Sequence, residues 1–222
     1  MYLDFTKKTS LILFIAVFAS FGFAKDYQEG RHYQLIEPLP TRDSEKIEVI
    51  EFFWFGCGHC FSLEAMLGDW KAEAGQDVDF FRLPVVWNSQ TKTHAKLFFA
   101  AETLEVPDAI GGIFGAIHYS RKMMTSDKEV IPFFQGYGID EEQYLAATNS
   151  FGLKNNLRKA ELFAFKYGIK GVPAFIVNGK YKVSATRELG TEELLDVVDY
   201  LIAKERNSVS YTHLTLPTTG SV

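Results

Sequence analysis

The apolar residues of this chain form short continuous runs of strand length and longer stripes with helical spacing. Residues 49–54 make a nearly continuous apolar run, as expected for a buried central strand. The next apolar residues have the i, i+3, i+4, i+7 spacing of one helix face: Leu63, Met66, Leu67 and Trp70. Residues 80–83 form a second strand-like run, which Pro84 stops. Together these segments predict a βαβ unit.

A helical block is predicted from about Thr91 to Tyr167. Its two clearest apolar faces comprise Ile110, Ile113, Phe114 and Ile117, and then Leu153, Leu157, Ala160, Ala164 and Tyr167. Asp140 and Gln143 have the spacing of a capping box at the start of another helix. Gly168 is placed to end the last helix of the block.

The strand signal returns at residues 174–177, and Asn178-Gly179 supplies a two-residue hairpin turn into residues 180–183. An apolar stripe after Thr191 predicts a final helix. The order is therefore a strand, a βαβ unit, a helical block and a ββα unit. It predicts an α/β fold in which one small mixed-sheet domain is interrupted by helices.

Composition and charge exclude several classes of protein. The chain has 222 residues, 47% of them hydrophobic and only 7 of them proline, so most of it is neither disordered nor collagen-like. Its 28 acidic residues outnumber 23 basic ones, and the net charge of −5 argues against nucleic acid as the main partner. Two cysteines are too few for a disulfide scaffold, which leaves redox chemistry, a metal site or one local bridge.

The N-terminus has the layout of a secretory signal peptide. Two lysines precede an apolar run at residues 11–18, and Gly22 and Ala24 place small residues at −3 and −1 of a cut after Ala24. An uncleaved membrane anchor is the alternative, but the run is short for a span of about 20 residues. We therefore expect residues 1–24 to be removed and the mature protein to be exported to a compartment where disulfides persist.

The C-terminus shows a break in composition. Beyond Arg206 charge vanishes and threonine dominates. We expect residues 207–222 to be a disordered tail, or a cloning or sequencing scar, and not a folded element.

The candidate chemistry is concentrated in Cys57-Gly58-His59-Cys60, which follows the first buried strand and opens the predicted helix. Free backbone N–H groups and the helix dipole at that end favour the Cys57 thiolate. The N–H of Gly58 could point towards the Cys57 sulfur. Cys60 lies one turn later, close enough for a disulfide, and His59 can donate to the thiolate or favour it electrostatically. A good leaving thiolate makes such a disulfide oxidising.

Two other interpretations of the cysteine pair are weaker. A structural zinc site needs four ligands, and His32, His94 and His118 show no second paired spacing, so we expect no metal. A purely structural bridge is also a poor explanation, because so short a ring would stabilise the fold little. A CxxC pair at a strand-to-helix junction within a βαβ pattern indicates redox chemistry. No motif calls for a cofactor.

Glu51 is the single charged residue of the buried strand, six residues before Cys57. Strand alternation could place it beneath the active site, where desolvation would raise its pKa and let it exchange protons with Cys60. The alternative is an edge position from which the carboxylate reaches solvent or a lysine. We favour the first interpretation.

Pro173 is the second backbone feature of interest. It has no N–H, so the neighbouring backbone of Val172 can pair with an extended substrate as an added strand would. It also cannot ligate a metal, which keeps nearby thiols free. A cis X-Pro bond is a rare and fixed feature of tight turns, whereas an ordinary loop proline is trans. Spacing alone does not choose between the two.

These motifs resemble those of the DsbA family, which are exported thiol:disulfide oxidoreductases with a thioredoxin fold. The resemblance rests on Glu51-Phe52-Phe53, the CxxC pair with histidine third, the helical insertion, Lys170-Gly171-Val172-Pro173-Ala174 and Val177-Asn178-Gly179-Lys180-Tyr181. It spans about residues 27–206. The family's commonest dipeptide between the cysteines is Pro-His, whereas Gly58-His59 is the pair typical of protein disulfide isomerase.

The resemblance implies roles for individual residues. Cys57 is then the exposed attacking cysteine and Cys60 the buried resolving one. Val172-Pro173 is the cis-proline loop that faces the disulfide and, with Gly58, contacts substrate. Glu51 matches the family's buried acid.

The resemblance also implies a division into domains. A thioredoxin-like domain comprises residues 25–88 and 156–206, and an inserted helical domain comprises residues 89–155. Glu64 matches a further acid of the family, although its place on a helix favours a solvated charge.

The function implied by the resemblance is that of a periplasmic dithiol oxidase. Such an enzyme donates its disulfide to newly exported proteins through a mixed disulfide, and a DsbB-like membrane quinone reductase would reoxidise it. We expect a monomer. One alternative is a disulfide isomerase or reductase of the PDI or DsbC type, but those proteins usually add a dimerisation region or repeated redox domains. The other is a non-catalytic thioredoxin-fold chaperone, which the intact Cys-Gly-His-Cys sequence argues against.

Overall fold

The structure is a computed structural model that describes residues 26–43, 45–186 and 188–214. The predicted signal peptide, residues 1–24, lies outside the described residues. Five strands form one mixed sheet in the order β1-β5-β4-β2-β3. The strands are β1 (Gln34–Leu35), β2 (Ile47–Phe53), β3 (Val78–Pro84), β4 (Ala174–Val177) and β5 (Tyr181–Ser184). Only β2 and β3 pair in parallel, and α1 connects them, so the predicted βαβ unit is confirmed.

Seven α-helices accompany the sheet in the described part of the chain. They are α1 (Gly58–Glu73), α2 (Ser89–Thr103), α3 (Asp108–His118), α4 (Asp127–Gln135), α5 (Glu141–Asn149), α6 (Phe151–Lys166) and α7 (Leu194–Leu214). A 3-10 turn at Thr191–Glu193 leads into α7. The helical block between β3 and β4 is thus confirmed as α2 to α6. Within the described residues no helix combines the length and apolar character needed to cross a membrane.

Local sequence signals account for several element boundaries. Asp140 and Gln143 form the expected capping box at the start of α5. Gly168, just beyond α6, has a φ of 59°, which suits a glycine at the end of a helix. The predicted domain boundary at residues 155/156 falls inside α6, so this helix belongs to both predicted domains.

The hairpin between β4 and β5 has the turn that its sequence predicts. Asn178 and Gly179 both have positive φ values, 49° and 64°, as the two-residue turn requires. A side chain at Gly179 would also collide with the backbone carbonyl of Leu39. The turn therefore fixes the register of β4 against β5 and, with it, the position of the loop that precedes β4.

Central strand β2 carries hydrophobic packing on both faces, because helices cover both sides of the sheet. Ile50 and Phe52 pack with the core of the α2 to α6 block. Ile47 and Val49 pack with the core that α1 and α7 share. All seven residues of β2 are buried, including Glu51. Packing on both faces of β2 thus holds its C-terminal end, and with it the start of the loop that follows, in place.

The last helix extends further than the sequence predicts. Helix α7 continues to Leu214, so residues 207–214 are helical and the expected disordered tail is wrong for this part of the chain. No proline or glycine interrupts residues 207–214, and each further helical residue adds a backbone hydrogen bond once a helix is formed. Residues 215–222 lie outside the described residues.

Candidate active site

The two cysteines lie at the point where β2 leads into α1. Cys57 is the N-cap residue of α1 and is half-buried, whereas Cys60, in the first turn of the helix, is fully buried. Both are free thiols, so the structure shows the dithiol form. The exposed–buried order matches the roles that the resemblance implies for the two residues.

The Cys57 site stabilises a thiolate. The pKa of Cys57 is lowered to about 6, chiefly because the Cys60 thiol donates to its sulfur, against the opposing effect of burial. The backbone N–H groups of Cys60 and His59 and the charge of His59 lower the pKa further. These are the N3 and N2 positions, whose N–H groups point at an N-cap side chain. The suggestion that the N–H of Gly58, at N1, points towards the Cys57 sulfur stays a prediction.

Cys60 has the opposite electrostatic environment. Burial raises its pKa most, and donation of its S–H to Cys57 and the negative charges of Cys57 and Glu51 raise it further. One sulfur of the pair is thus a thiolate near neutral pH while the other keeps its proton. Such separated pKa values distinguish the solvent-facing nucleophile and leaving group from its resolving partner.

The loop before β4 meets the reactive sulfur. The Cys57 thiol donates to the backbone carbonyl of Val172 at 3.3 Å. The Val172–Pro173 peptide bond is cis, which confirms the isomer that the resemblance implies. Gly58 is exposed, and a side chain built there would meet no other atom, so the surface beside Cys57 is open.

His59 is exposed on the first turn of α1. Its Nδ1 lies 3.0 Å from the hydroxyl of Thr191, in the 3-10 turn before α7. This contact links the first turn of α1 to the turn that precedes α7. Sequence reasoning placed Thr191 only at the start of a helix and did not find this link.

Glu51 lies in a buried cluster of charges and not at an edge of the sheet. Its register partner on β3 is Arg82, whose Nε donates to Glu51 Oε2 at 2.5 Å. Burial raises the pKa of Glu51, and the guanidinium of Arg82 opposes that rise. The negative charge of Glu51 in turn contributes to the raised pKa of Cys60. The carboxylate is therefore electrically coupled to the buried sulfur.

Glu64 also belongs to this cluster. It lies on α1, and its Oε2 is 2.8 Å from Nη2 of Arg82, with 24% of the side chain exposed. The expectation of a solvated charge is therefore wrong, because Arg82 reaches from β3 to the helix above it. The guanidinium also lies 4.2 Å from the ring centroid of Phe53. Although burial lowers the pKa of Arg82, the two carboxylates raise it overall.

Comparison with known proteins agrees with this geometry. The family model of the DSBA-like thioredoxin domain matches residues 63–196 of this chain. The thiol:disulfide interchange protein DsbA of Pseudomonas aeruginosa is 36% identical over 200 residues, which cover 89% of this chain and 95% of that protein. DsbA of Azotobacter vinelandii is 38% identical over 185 residues, which cover 82% of this chain and 86% of that protein. The chain belongs to the DsbA family.

Solved structures agree at the level of the fold. The crystal structure of Pseudomonas aeruginosa DsbA matches with a TM-score of 0.79 and 37% identity, over 84% of this chain and 98% of that one. A DsbA from Xylella fastidiosa matches with a TM-score of 0.73 and 30% identity, over 79% of this chain and 96% of that one. The predicted thioredoxin fold and the activity of a thiol:disulfide oxidoreductase are therefore confirmed. No group of three or more potential metal ligands occurs among the residues that the structure describes.

Two histidines of the helical block hold the segment of this DsbA-family site that precedes Cys57. His94, on α2, accepts a hydrogen bond from Trp54 Nε1 at 2.9 Å, and its own Nε2–H donates to the carbonyl of Met123 at 2.9 Å. His118, at the end of α3, donates from Nε2 to the carbonyl of Phe55 at 2.8 Å.

The second histidine also touches the residue after the cysteine pair. The ring of His118 stacks on Phe61, with centroids 4.5 Å apart and 3° between the planes. His118 therefore contacts the chain on both sides of Cys57-Gly58-His59-Cys60. Sequence reasoning considered His94 and His118 only as possible metal ligands, because nothing in the local pattern places α2 and α3 against this loop.

Burial of His94 predicts a dependence of stability on pH. Burial lowers the pKa of His94, although its bond to Met123 opposes this. When the pH falls below about 6.5, the unfolded chain therefore binds a proton at His94 more readily than the folded chain does. We expect the free energy of unfolding to fall between about pH 7.5 and 5.5 by no more than about 1.4 kcal/mol per pH unit from this residue. His94→Gln should lose that part of the slope in urea titrations, and equal slopes for both proteins would contradict the assignment.

Proposed function

We propose that this protein is a dithiol oxidase that donates a Cys57–Cys60 disulfide to newly exported proteins. The observation that carries this proposal is the separation of the two pKa values, lowered for Cys57 and raised for Cys60. A stabilised thiolate favours the reduced form of the pair, so the disulfide form is an oxidant.

The reaction consists of two exchanges that balance in atoms and electrons. A substrate thiolate attacks Cys57 Sγ, the bond to Cys60 breaks, and Cys60 leaves as a thiolate that takes up a proton. The second substrate thiolate then attacks the substrate sulfur of this mixed disulfide, and Cys57 leaves as a thiolate. The substrate is oxidised by two electrons and the enzyme becomes a dithiol. The low pKa of Cys57 favours the second departure.

The proton for Cys60 comes from Glu51 in this proposal. The charge of Glu51 acts on Cys60, and Cys60 is itself fully buried, so bulk water does not protonate the leaving sulfur directly. Glu51 Oε1 accepts no hydrogen bond from the described residues, which leaves it able to carry a proton. Glu51 therefore acts as acid when the disulfide opens and as base when it is restored.

The loop at Val172 and Pro173, together with exposed Gly58, forms the substrate surface. An extended substrate would pair with the Val172 backbone as an added strand, with its cysteine facing Cys57. His59 stabilises the thiolate that leaves, since its charge lowers the pKa of Cys57.

Family membership supports a proposal for the location and the partners of the protein. We place the mature protein in the periplasm, as a monomer that acts on reduced exported proteins and not on nucleic acid. A DsbB-like membrane quinone reductase would restore the disulfide. Both assignments rest on the family and on the signal-peptide pattern of residues 1–24.

The disulfide form should oxidise a reduced, unfolded protein with two thiols faster than glutathione disulfide does at equal concentration. Cys57→Ser and Cys60→Ser should both lose this activity, because neither variant can form the disulfide. When Cys60→Ser is given a substrate in its disulfide form, the Cys57 thiolate should attack it, release one substrate thiolate and accumulate a mixed disulfide that mass spectrometry detects. Retained activity in Cys57→Ser would overturn the proposal. Faster rearrangement of a scrambled protein than oxidation of a reduced one would instead support the isomerase alternative.

A further inference from the structure

A cavity of about 540 Å³ opens beside the cis-proline loop. It is lined by residues 30–34, by residues 168–173 and by the end of β5 with the residues that follow it. Three of its lining side chains are basic: Arg31, Lys170 and Lys182. None of its described lining residues is acidic. A chain with a net charge of −5 therefore has a locally positive cavity at this place.

The lysines of the cavity are free to meet a ligand. Among the residues that the structure describes, Lys182 Nζ reaches only the carbonyl of Gly168, at 3.4 Å, and Lys170 is exposed. Within the described residues neither lysine pairs with a carboxylate. Arg31 is paired with Glu188 at 2.9 Å, but both side chains are more than half exposed, so this pair contributes little and can exchange.

The cavity is continuous with the surface that we assign to substrate. Val172 and Pro173 line it, and the Val172 carbonyl is 3.3 Å from Cys57 Sγ. An extended chain advances about 3.3 Å per residue. A substrate strand that pairs with Val172 thus brings side chains two or three residues from its cysteine to the cavity mouth.

We infer that this cavity binds a carboxylate of the substrate, so that the enzyme prefers cysteines with an aspartate or glutamate two or three residues away. The inference rests on the proposed function and specifies its substrate class. Lys170 and Lys182 supply charge-assisted hydrogen bonds to the carboxylate. The direction in which the substrate chain runs decides which flank of the cysteine meets the cavity.

Paired peptides test the inference. Each peptide carries two cysteines. The two peptides of a pair differ only at the residues two and three positions from the reactive cysteine, which are Glu in one peptide and Gln in the other. One pair varies the N-terminal flank and another the C-terminal flank. At low salt we expect one of the Glu peptides to be oxidised roughly three- to tenfold faster than its Gln partner. The ratio should approach one in about 0.5 M NaCl, because salt screens exposed charges.

Substitution of the two lysines tests whether the cavity causes the preference for the Glu peptides. The double variant Lys170→Gln/Lys182→Gln should bring the Glu/Gln rate ratio close to one. Lys159→Gln, an exposed lysine on α6 outside the cavity, should leave the ratio unchanged. A ratio of one for both flanks in the wild type, or a preference that survives in the double variant, would overturn the inference alone. Failure to oxidise any peptide would overturn the proposed function and the inference with it.

Discussion

Arg82→Met should lower the free energy of unfolding by about 3–5 kcal/mol at neutral pH. The side chain is 11% exposed and pairs with Glu51, which has no exposure, and with Glu64. Its removal leaves the Glu51 carboxylate buried with no cation beside it. A buried charge without a partner costs far more than an intact pair contributes.

The loss should depend on pH in a defined direction. Burial already raises the pKa of Glu51, and without Arg82 that pKa must rise further. A carboxyl whose pKa is raised by folding destabilises the fold above its folded pKa and ceases to do so when it is protonated. The destabilisation of Arg82→Met should therefore shrink as the pH falls below the folded pKa of Glu51. The double variant Arg82→Met/Glu51→Leu should recover much of the loss at neutral pH.

Arg206→Met is the matched control. Arg206 donates two hydrogen bonds to Asp77, at 2.6 and 2.7 Å, and one to the Ala74 carbonyl, but the side chains of the ion pair are 44% and 48% exposed. An exposed pair contributes about 1 kcal/mol or less. Urea unfolding of the variants at two pH values makes the comparison. If Arg82→Met loses no more stability than Arg206→Met, the cluster around Glu51 is hydrated and its proposed isolation from bulk water is wrong.

Alkylation of the dithiol form should reach half its maximal rate near pH 6, and the label should be on Cys57. A free cysteine titrates near pH 8.5, so the reactive sulfur is shifted by more than two pH units. Burial, together with the neighbouring charges, raises the pKa of Cys60, which should stay unlabelled through neutral pH. Iodoacetamide labelling with peptide mass spectrometry measures both sites.

His59→Gln should move this titration upward, because the charge of His59 lowers the pKa of Cys57. His32→Gln, at a histidine that is not among the groups lowering this pKa, should leave the titration in place. Preferential labelling of Cys60 would reverse the assignment of the attacking cysteine. An unshifted titration in His59→Gln would remove His59 from the site.

The sequence predicted the elements whose signals are local. The apolar run of β2, the helical stripes, the capping box at Asp140 and the turn at Asn178-Gly179 each depend on neighbours in the chain, and each is found. The position of the two cysteines at the start of α1 followed in the same way, because the strand-like run before them and the helical stripe after them are local signals.

The missed features depend on contacts between distant segments. Arg82 faces Glu51 only because β2 and β3 pair in one particular register, and an arginine in a strand otherwise suggests solvent. His94 and His118 reach the loop before Cys57 because α2 and α3 pack against it, which no spacing within the helices records. The helical end of α7 was missed for another reason. The loss of charged residues beyond Arg206 suggests disorder, although residues 207–214 contain no glycine or proline that would end a helix that is already formed.

The fold should stabilise the dithiol form more than the disulfide form. Thermal unfolding of both forms across about pH 6 to 8 tests it most directly, since the lowered Cys57 pKa adds stability to the dithiol form as the pH rises towards about 8.5. The disulfide form has no such group, and its short ring contributes little. We predict that the dithiol form melts higher at neutral pH and above, and that the gap widens with pH. A disulfide form that melts higher throughout, with no change in the gap, would show that the fold does not favour the dithiol form.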